Sequence, residues 1–518
     1  MKLNQQSIRW ALEHLKKEND TDLFPKPVEI DIMYAQKDVL PSILENIDIG
    51  NYEWNPYRRF IIPKGELSYR IVTQLNPIDS LFMSAILYEY GQLIEQKRIP
   101  LSENRVFSYR FFPDPNGDLY ANQHSWRDFW SHCIIKAERY GCIACLDISD
   151  FYNQIYHHTV ENMLIDVGFP NEVKKSIMNL LVYLTQTVSR GVPIGPHFSH
   201  LIAEMSLIPI DESMLVHGVD FCRYADDIII FAKDDTEARA NTYKIAEIID
   251  KQQRLILQRQ KTKIYGNSDF IEYATSMLKD NPLDIQESEM LEVINKYSNN
   301  DPYIRIPHDS LTPDERKLFS KEKVTALIEK YILPDFPDYP RLRWFFRRLT
   351  QIGIGEAVSY CIENMDNLIP AISDVCQYLI SASDNYSGEW QNQGDKVIEL
   401  LNSELFRANE FFQITLLNLF VCNTKLNHIQ QISSMYSHSS ENMKRKVLLF
   451  AFNNKSVSFI RELKESYPSM NDWNKRAYII CCSILPPDER KHFLKYIKSS
   501  LSPNNHLEKV LLEWSLSQ

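Results

Sequence analysis

The stretch "CRYADDIIIFAK", residues 222–233, sets two adjacent aspartates, Asp226 and Asp227, between apolar runs. Neighbouring carboxylates repel and each loses hydration on burial, so a folding chain avoids this arrangement unless something offsets the cost. "FCRY" and "DIIIF" read as two short strands, and "YADD" falls where a tight hairpin turn joins them. Such a turn projects both carboxylates from one end of a sheet, where a divalent cation makes the like charges tolerable.

A third oxygen ligand is available upstream. In "CIACLDISDFY", Asp147 ends an apolar strand-like run and precedes a helical stretch. If the two strands are neighbours, three carboxylates converge on one point. Hard oxygen ligands suit Mg²⁺, or Mn²⁺ in its place, better than zinc. A three-aspartate site holding two metals is what in-line phosphoryl or nucleotidyl transfer requires. An isolated Asp-Asp pair is more often a surface turn, and a lone Asp147 a helix cap, so the rest of the chain must decide.

The 518 residues allow two to four domains, and 44% hydrophobic with 24% charged residues is an ordinary globular balance. The N-terminus "MKLNQQSIRWALEHLKKEND" has no long apolar core, and no uncharged apolar run approaches a bilayer-spanning length. Nine scattered cysteines lack framework spacing, as expected in a reducing cytoplasm. The net charge of −11 argues against a broad basic surface, so any polyanion should meet a local groove.

Ten of the 14 glycines occur by Gly266. The first half alternates β-rich runs with helical patterns and reads as α+β or α/β. "NKYSNNDPYIRIPHDSLTPDERK" is polar and proline-bearing, like a connector, and ends in a helix start with Thr312 as N-cap, Pro313 at the first position and Glu315 completing a capping box. Beyond it, apolar residues recur at helical spacing in "EFFQITLLNLFVC", "KRKVLLFAF" and "KRAYIICCSIL", and "TPDERKLF" is echoed by "PPDERKHF". A stacked helical array of roughly 30 to 45 residues per unit fits this pattern, with an irregular helical domain as the alternative.

"LDISDFY", "GVPIGPHFSHLIAEM", "RYADDIIIFA" and "LQRQKTKIYG", in that order, resemble the palm motifs of reverse transcriptases. Upstream, "RRFIIPKGELSYRIVTQLNPIDSLFMSAIL" is similar to the fingers motifs of that family. The resemblance implies an α+β fold: fingers and palm over 58–280 after an N-terminal extension (1–57), a connector (281–312), and an all-α, HEAT-like helical-repeat domain (313–518). It implies that Asp147, Asp226 and Asp227 bind two metals, one lowering the pKa of the primer hydroxyl and the other steadying the leaving pyrophosphate, with Ile148 adding a backbone carbonyl. Lys64 and Arg70, in "PKGELSYR", would clamp the triphosphate. Tyr152 stands at the position of the steric gate that excludes a 2′-hydroxyl. Lys261 matches the lysine near the phosphates, with Lys263 as its alternative. One residue departs from the pattern: Ile194 stands where glutamine is usual in "GVPIG", which bears on templated copying.

Other constellations carry less. Cys142 and Cys145 with His157 and His158 suggest zinc but lack a second cysteine pair, and core packing is favoured. "RLRWFFRRLT", residues 341–350, fits either single-strand binding or an amphipathic helix with a charged face.

The overall plan is similar to the bacterial abortive-infection reverse transcriptases and their antiphage relatives. That likeness implies a cytoplasmic homo-oligomer, trimer or hexamer, acting on dNTPs. It also implies DNA synthesis primed from a protein tyrosine, in some members without a template and in relatives with a non-coding RNA. Tyr34, Tyr52 and Tyr57 are N-terminal candidates for the priming residue. The competing readings are a conventional RNA-templated enzyme using an annealed primer and a degenerate scaffold; a scaffold is expected to have lost an aspartate, and all three are present.

Overall fold

A computed structural model describes residues 1–17, 25–121, 125–186, 188–278, 282–299, 304–333, 337–502 and 504–518. Six strands occur among them: β1 (Arg58–Pro63), β2 (Tyr69–Gln74), β3 (Cys142–Asp147), β4 (Asp220–Tyr224), β5 (Asp227–Ala232) and β6 (Lys263–Gly266). By packing, the chain divides into two compact units. Met1–Arg58 and Val72–Asn281 form the first; Arg59–Ile71 and Pro282–Gln518 form the second.

The first unit is built on an antiparallel sheet in the order β4-β5-β3-β6. β3 and β5 are buried along nearly their whole length, because helices cover both faces of the sheet. Alternation sorts their side chains. Ile143, Cys145, Cys222, Ile229 and Phe231 join Phe129, Trp130 and Phe270 in one core, on the side of the helices Ser125–Ala137 and Asn267–Leu278. The intervening residues face the helices Ser199–Val216 and Asp235–Gln253. Residues 1–57, the N-terminal extension, belong to this unit. Their helix Gln5–Lys17 lies on Pro77–Lys97, with Trp10 stacked on Tyr88 at 4.7 Å and donating from Nε1 to the Asp114 carbonyl at 2.6 Å.

The second unit groups residues 59–71, most of the β1–β2 hairpin, with an all-helical run. The stretch 281–312 contains a real helix, Ile285–Ser298, rather than only a connector. The capping box forms as the residues dictate, Thr312 accepting from the Glu315 amide while the Glu315 carboxylate accepts from the Thr312 amide. Six helices then pack each on the next in chain order: Tyr339–Ile352, Ile372–Ser381, Glu410–Cys422, Glu441–Asn453, Asp472–Cys481 and His506–Ser517. Their starts lie 31 to 38 residues apart. Tyr339–Ile352 is an amphipathic helix. Leu342, Phe345, Phe346 and Leu349 are buried, while Arg341 faces Glu287 at 3.5 Å and Arg347 pairs with Asp374 at 2.8 Å. Arg348 is buried against Gln351 and Asn295. No helix among the described residues is long and apolar enough to cross a membrane.

Candidate active site

Asp226 lies on the turn of the β4–β5 hairpin, where Tyr224 pairs with Asp227 and only Ala225 and Asp226 intervene. A two-residue hairpin loop of this hand needs positive φ, and Ala225 supplies it at 51°. The conformation is costly for a residue with a Cβ and persists only where the surroundings hold it. Here they do. The Ala225 amide donates to Ser108 Oγ at 2.8 Å, and its carbonyl accepts from Arg223 Nη1 at 2.9 Å.

Arg223 has no solvent exposure and pairs with Asp211 at 2.6 Å and Glu204 at 3.0 Å, while Arg98 reaches Glu204 at 2.7 Å. Ser108 Oγ also donates to Glu204, at 2.6 Å. Burial pushes the Glu204 carboxyl up, but the charges of Arg223 and Arg98 outweigh it and hold the group below its usual range. For Asp211, burial prevails and the group moves up. The quoted "CRYADD" motif therefore includes the residue that shapes the turn as well as those the turn presents.

Across the sheet, Asp147 lies directly opposite Asp227 in the β3–β5 register. The Ile148 amide donates to the Asp226 carbonyl at 3.3 Å, tying the end of β3 to the turn. Asp147 is buried; Asp226 and Asp227 are half-buried. Burial first, then the charges of Asp226 and Asp147, push Asp227 up to about 7, against the opposing pull of Lys261. The loop after Leu255 runs beside β3, with Ser149 N donating to Ile256 O at 2.8 Å and Gln258 N to Asp147 O at 2.7 Å. That path carries Lys261 Nζ to within 2.5 Å of Asp147 Oδ2. Lys263 instead pairs with Cys145 in β6, so Lys261 is the lysine that meets the carboxylates.

Among the described residues, no three His, Cys, Asp or Glu side chains close into a metal-holding cluster. What the fold brings together is the Asp147–Asp227 pair, with Asp226 beside it in the chain. The donor set nevertheless fits a hard divalent ion: it is all carboxylate oxygen, and the burial and mutual repulsion that lift Asp227 are what such a cation would offset. Zinc is not supported at Cys142 and Cys145, since Cys145 lies in the core and His157 Nε2 is engaged with the Gly191 carbonyl at 3.0 Å.

Tyr152, on the short helix Phe151–Gln154, lies 2.7 Å from His200 Nδ1 through its hydroxyl, and the His200 ring stacks on Tyr109 at 4.1 Å with 1° between planes. Burial, then nearby charges including Asp226, push the Tyr152 hydroxyl well above its ordinary range. His200 sits inside "GVPIGPHFSHLIAEM" but carried no role at the level of sequence; its i, i+3 spacing from His197 was the available signal. Ile194 is half-buried, and its carbonyl accepts from the Thr73 amide at 2.7 Å. Lys64 and Arg70 are exposed on the β1–β2 hairpin of the second unit. The hydroxyls of Tyr34, Tyr52 and Tyr57 donate to Glu13, Asp79 and the Leu184 carbonyl, respectively.

Residues 62–278 match the family described as reverse transcriptase (RNA-dependent DNA polymerase). No curated protein matches the chain. Among solved structures the chain is similar to the telomerase of Candida albicans, solved in complex with a fragment of telomeric RNA, at 12% identity and a TM-score of 0.29. The match covers 76% of this chain and 66% of that one, and a superposition this loose transfers no function. With the ordered motifs and the strand topology in place, residues 62–278 are a reverse transcriptase domain, carried on an α+β fold and followed by a helical C-terminal part.

Proposed function

We propose that this protein is a DNA polymerase of the reverse transcriptase family that acts in bacterial antiphage defence, primes synthesis from one of its own tyrosines, and extends without a template. The observation that carries the polymerase reading is the placement of Asp147 opposite Asp227, one residue from Asp226. Asp147, Asp226 and Asp227, with the Ile148 carbonyl, would hold Mg²⁺ or Mn²⁺, which when bound supplies charge neutralisation at the attacking and leaving oxygens. Lys64 and Arg70 bind the triphosphate, the ammonium as a point charge and the guanidinium as a planar fork. Lys261 supplies positive charge beside the carboxylates. Tyr152, fixed through His200, presents an aromatic wall to the sugar and selects deoxynucleotides.

Untemplated extension is supported by Ile194, whose side chain offers no hydrogen-bond donor where an amide would keep nucleotide and template in register. Protein priming agrees with the acidic net charge of −11, because a tethered product needs no broad basic surface to retain it. We read the serial helices as a repeat array that supports a homo-oligomer.

The test incubates the purified full chain with each labelled dNTP and Mg²⁺, without template, and runs denaturing gels before and after protease. DNA that stays on the protein through SDS and boiling and is freed by protease is the expected result. EDTA and Asp226→Ala should each abolish the signal, the substitution without lowering the melting temperature. Free product that appears only with template and annealed primer would establish the conventional RNA-templated enzyme instead.

A further inference from the structure

The hairpin that carries Lys64 and Arg70 packs with helices that follow it by about 280 residues or more. β1 and β2 form a sheet of only two strands, and such a hairpin is marginally stable on its own in water. Its turn closes when the Lys64 and Gly65 amides donate to the Ser68 carbonyl at 2.8 and 3.2 Å, which shapes the tip without orienting it.

Two helices of the second unit supply the orientation. Arg343 Nη2 donates to the Lys64 carbonyl at 2.6 Å, and its Nε donates to Tyr339 O at 3.3 Å within its own helix. Asn409 Nδ2 donates to the Ile61 carbonyl at 2.9 Å. The same Asn409 caps the helix Glu410–Cys422, its Oδ1 accepting from the Phe411 amide at 2.9 Å. One side chain thus terminates a helix and ties down a strand. Between these tethers the buried Phe60 meets Phe411, with ring centroids 6.3 Å apart.

We propose that Arg343 and Asn409 are positioning residues that hold the Lys64–Arg70 hairpin in the conformation that binds a nucleoside triphosphate. The helical C-terminal part then belongs to the nucleotide-binding machinery instead of being a detachable module. This rests on the reading of Lys64 and Arg70 as triphosphate ligands.

The experiment compares Arg343→Ala, Asn409→Ala and Arg343→Lys with the wild-type full chain, by hydrogen exchange of amides 59–71 and by dNTP steady-state kinetics. Each alanine variant should speed hairpin exchange about three- to tenfold and raise KM by a similar factor, with kcat within about twofold. Arg343→Lys, which keeps a donor and the charge, should recover part of the loss. Asn409 is uncharged, so a parallel rise in its variant separates positioning from lost electrostatic attraction. Unchanged exchange in both alanine variants overturns the proposal, as does faster exchange with unchanged KM. A wild-type chain that incorporates no nucleotide defeats the polymerase reading and the nucleotide half of this one, while exchange still decides whether the helices hold the hairpin.

Discussion

At the scale of single residues, the aspartate turn depends on Arg223 as much as on the aspartates. Its guanidinium joins Glu204 and Asp211 in a fully buried cluster and also holds the carbonyl of the strained Ala225. Replacing Glu204 by Ala removes the carboxylate shared by Arg223 and Arg98 and leaves two buried guanidiniums short of countercharge. Breaking a buried pair in this way costs about 3–5 kcal/mol, so Glu204→Ala should lower the denaturant midpoint substantially. Glu204→Gln keeps the volume and an acceptor and should lose less. An unchanged midpoint for Glu204→Ala would show that the network does not brace the turn.

At the scale of elements, the helix Gln5–Lys17 carries a titration built into its docking. The His14 ring is fully buried, stacks on Trp10 at 5.2 Å, lies 5.1 Å from the His197 ring and donates from Nδ1 to the Gly117 carbonyl at 2.7 Å. Burial lowers His14 to about 4, although the Gly117 carbonyl and the Asp118 charge oppose the shift. Burial also moves His197 well below its ordinary value. A histidine with a depressed folded pKa takes up its proton only on unfolding, so the stability it protects is complete above about 6.5 and is lost as pH falls toward 4. For His14 alone that amounts to about 3 kcal/mol across the window. Melting temperatures of the wild type and His14→Gln between pH 7 and 4.5 should converge on acidification. Parallel curves would mean that the ring is not held neutral.

At the scale of the whole molecule, packing does not follow chain order. Residues 59–71 group with the helical unit, while residues 1–58 belong to the unit that holds the four-stranded sheet. A fragment ending at residue 281 therefore keeps its four-stranded sheet but deprives the hairpin of Arg343, Asn409 and Phe411. Limited proteolysis should cut the fragment first within 59–71, at positions that resist in the full chain. Equal resistance in both would show that the hairpin is stable without the helices.

Sequence by itself was sufficient for what depends on local chemistry and short-range pattern. The strand–turn–strand around Asp226 and Asp227, the strand ending at Asp147, the capping box at Thr312 and the helical second half all follow from side-chain period and turn chemistry, which act within a few residues. The His200 contact to Tyr152, the ion pair of Lys261 with Asp147, and the cluster of Arg223 with Glu204 and Arg98 did not follow. Nor did the attachment of the β1–β2 hairpin to helices far along the chain. Those features are decided by strand register and by which buried charges find partners. Both are settled by the free energy of the packed whole, where residues well separated along the chain meet and no local pattern records the meeting.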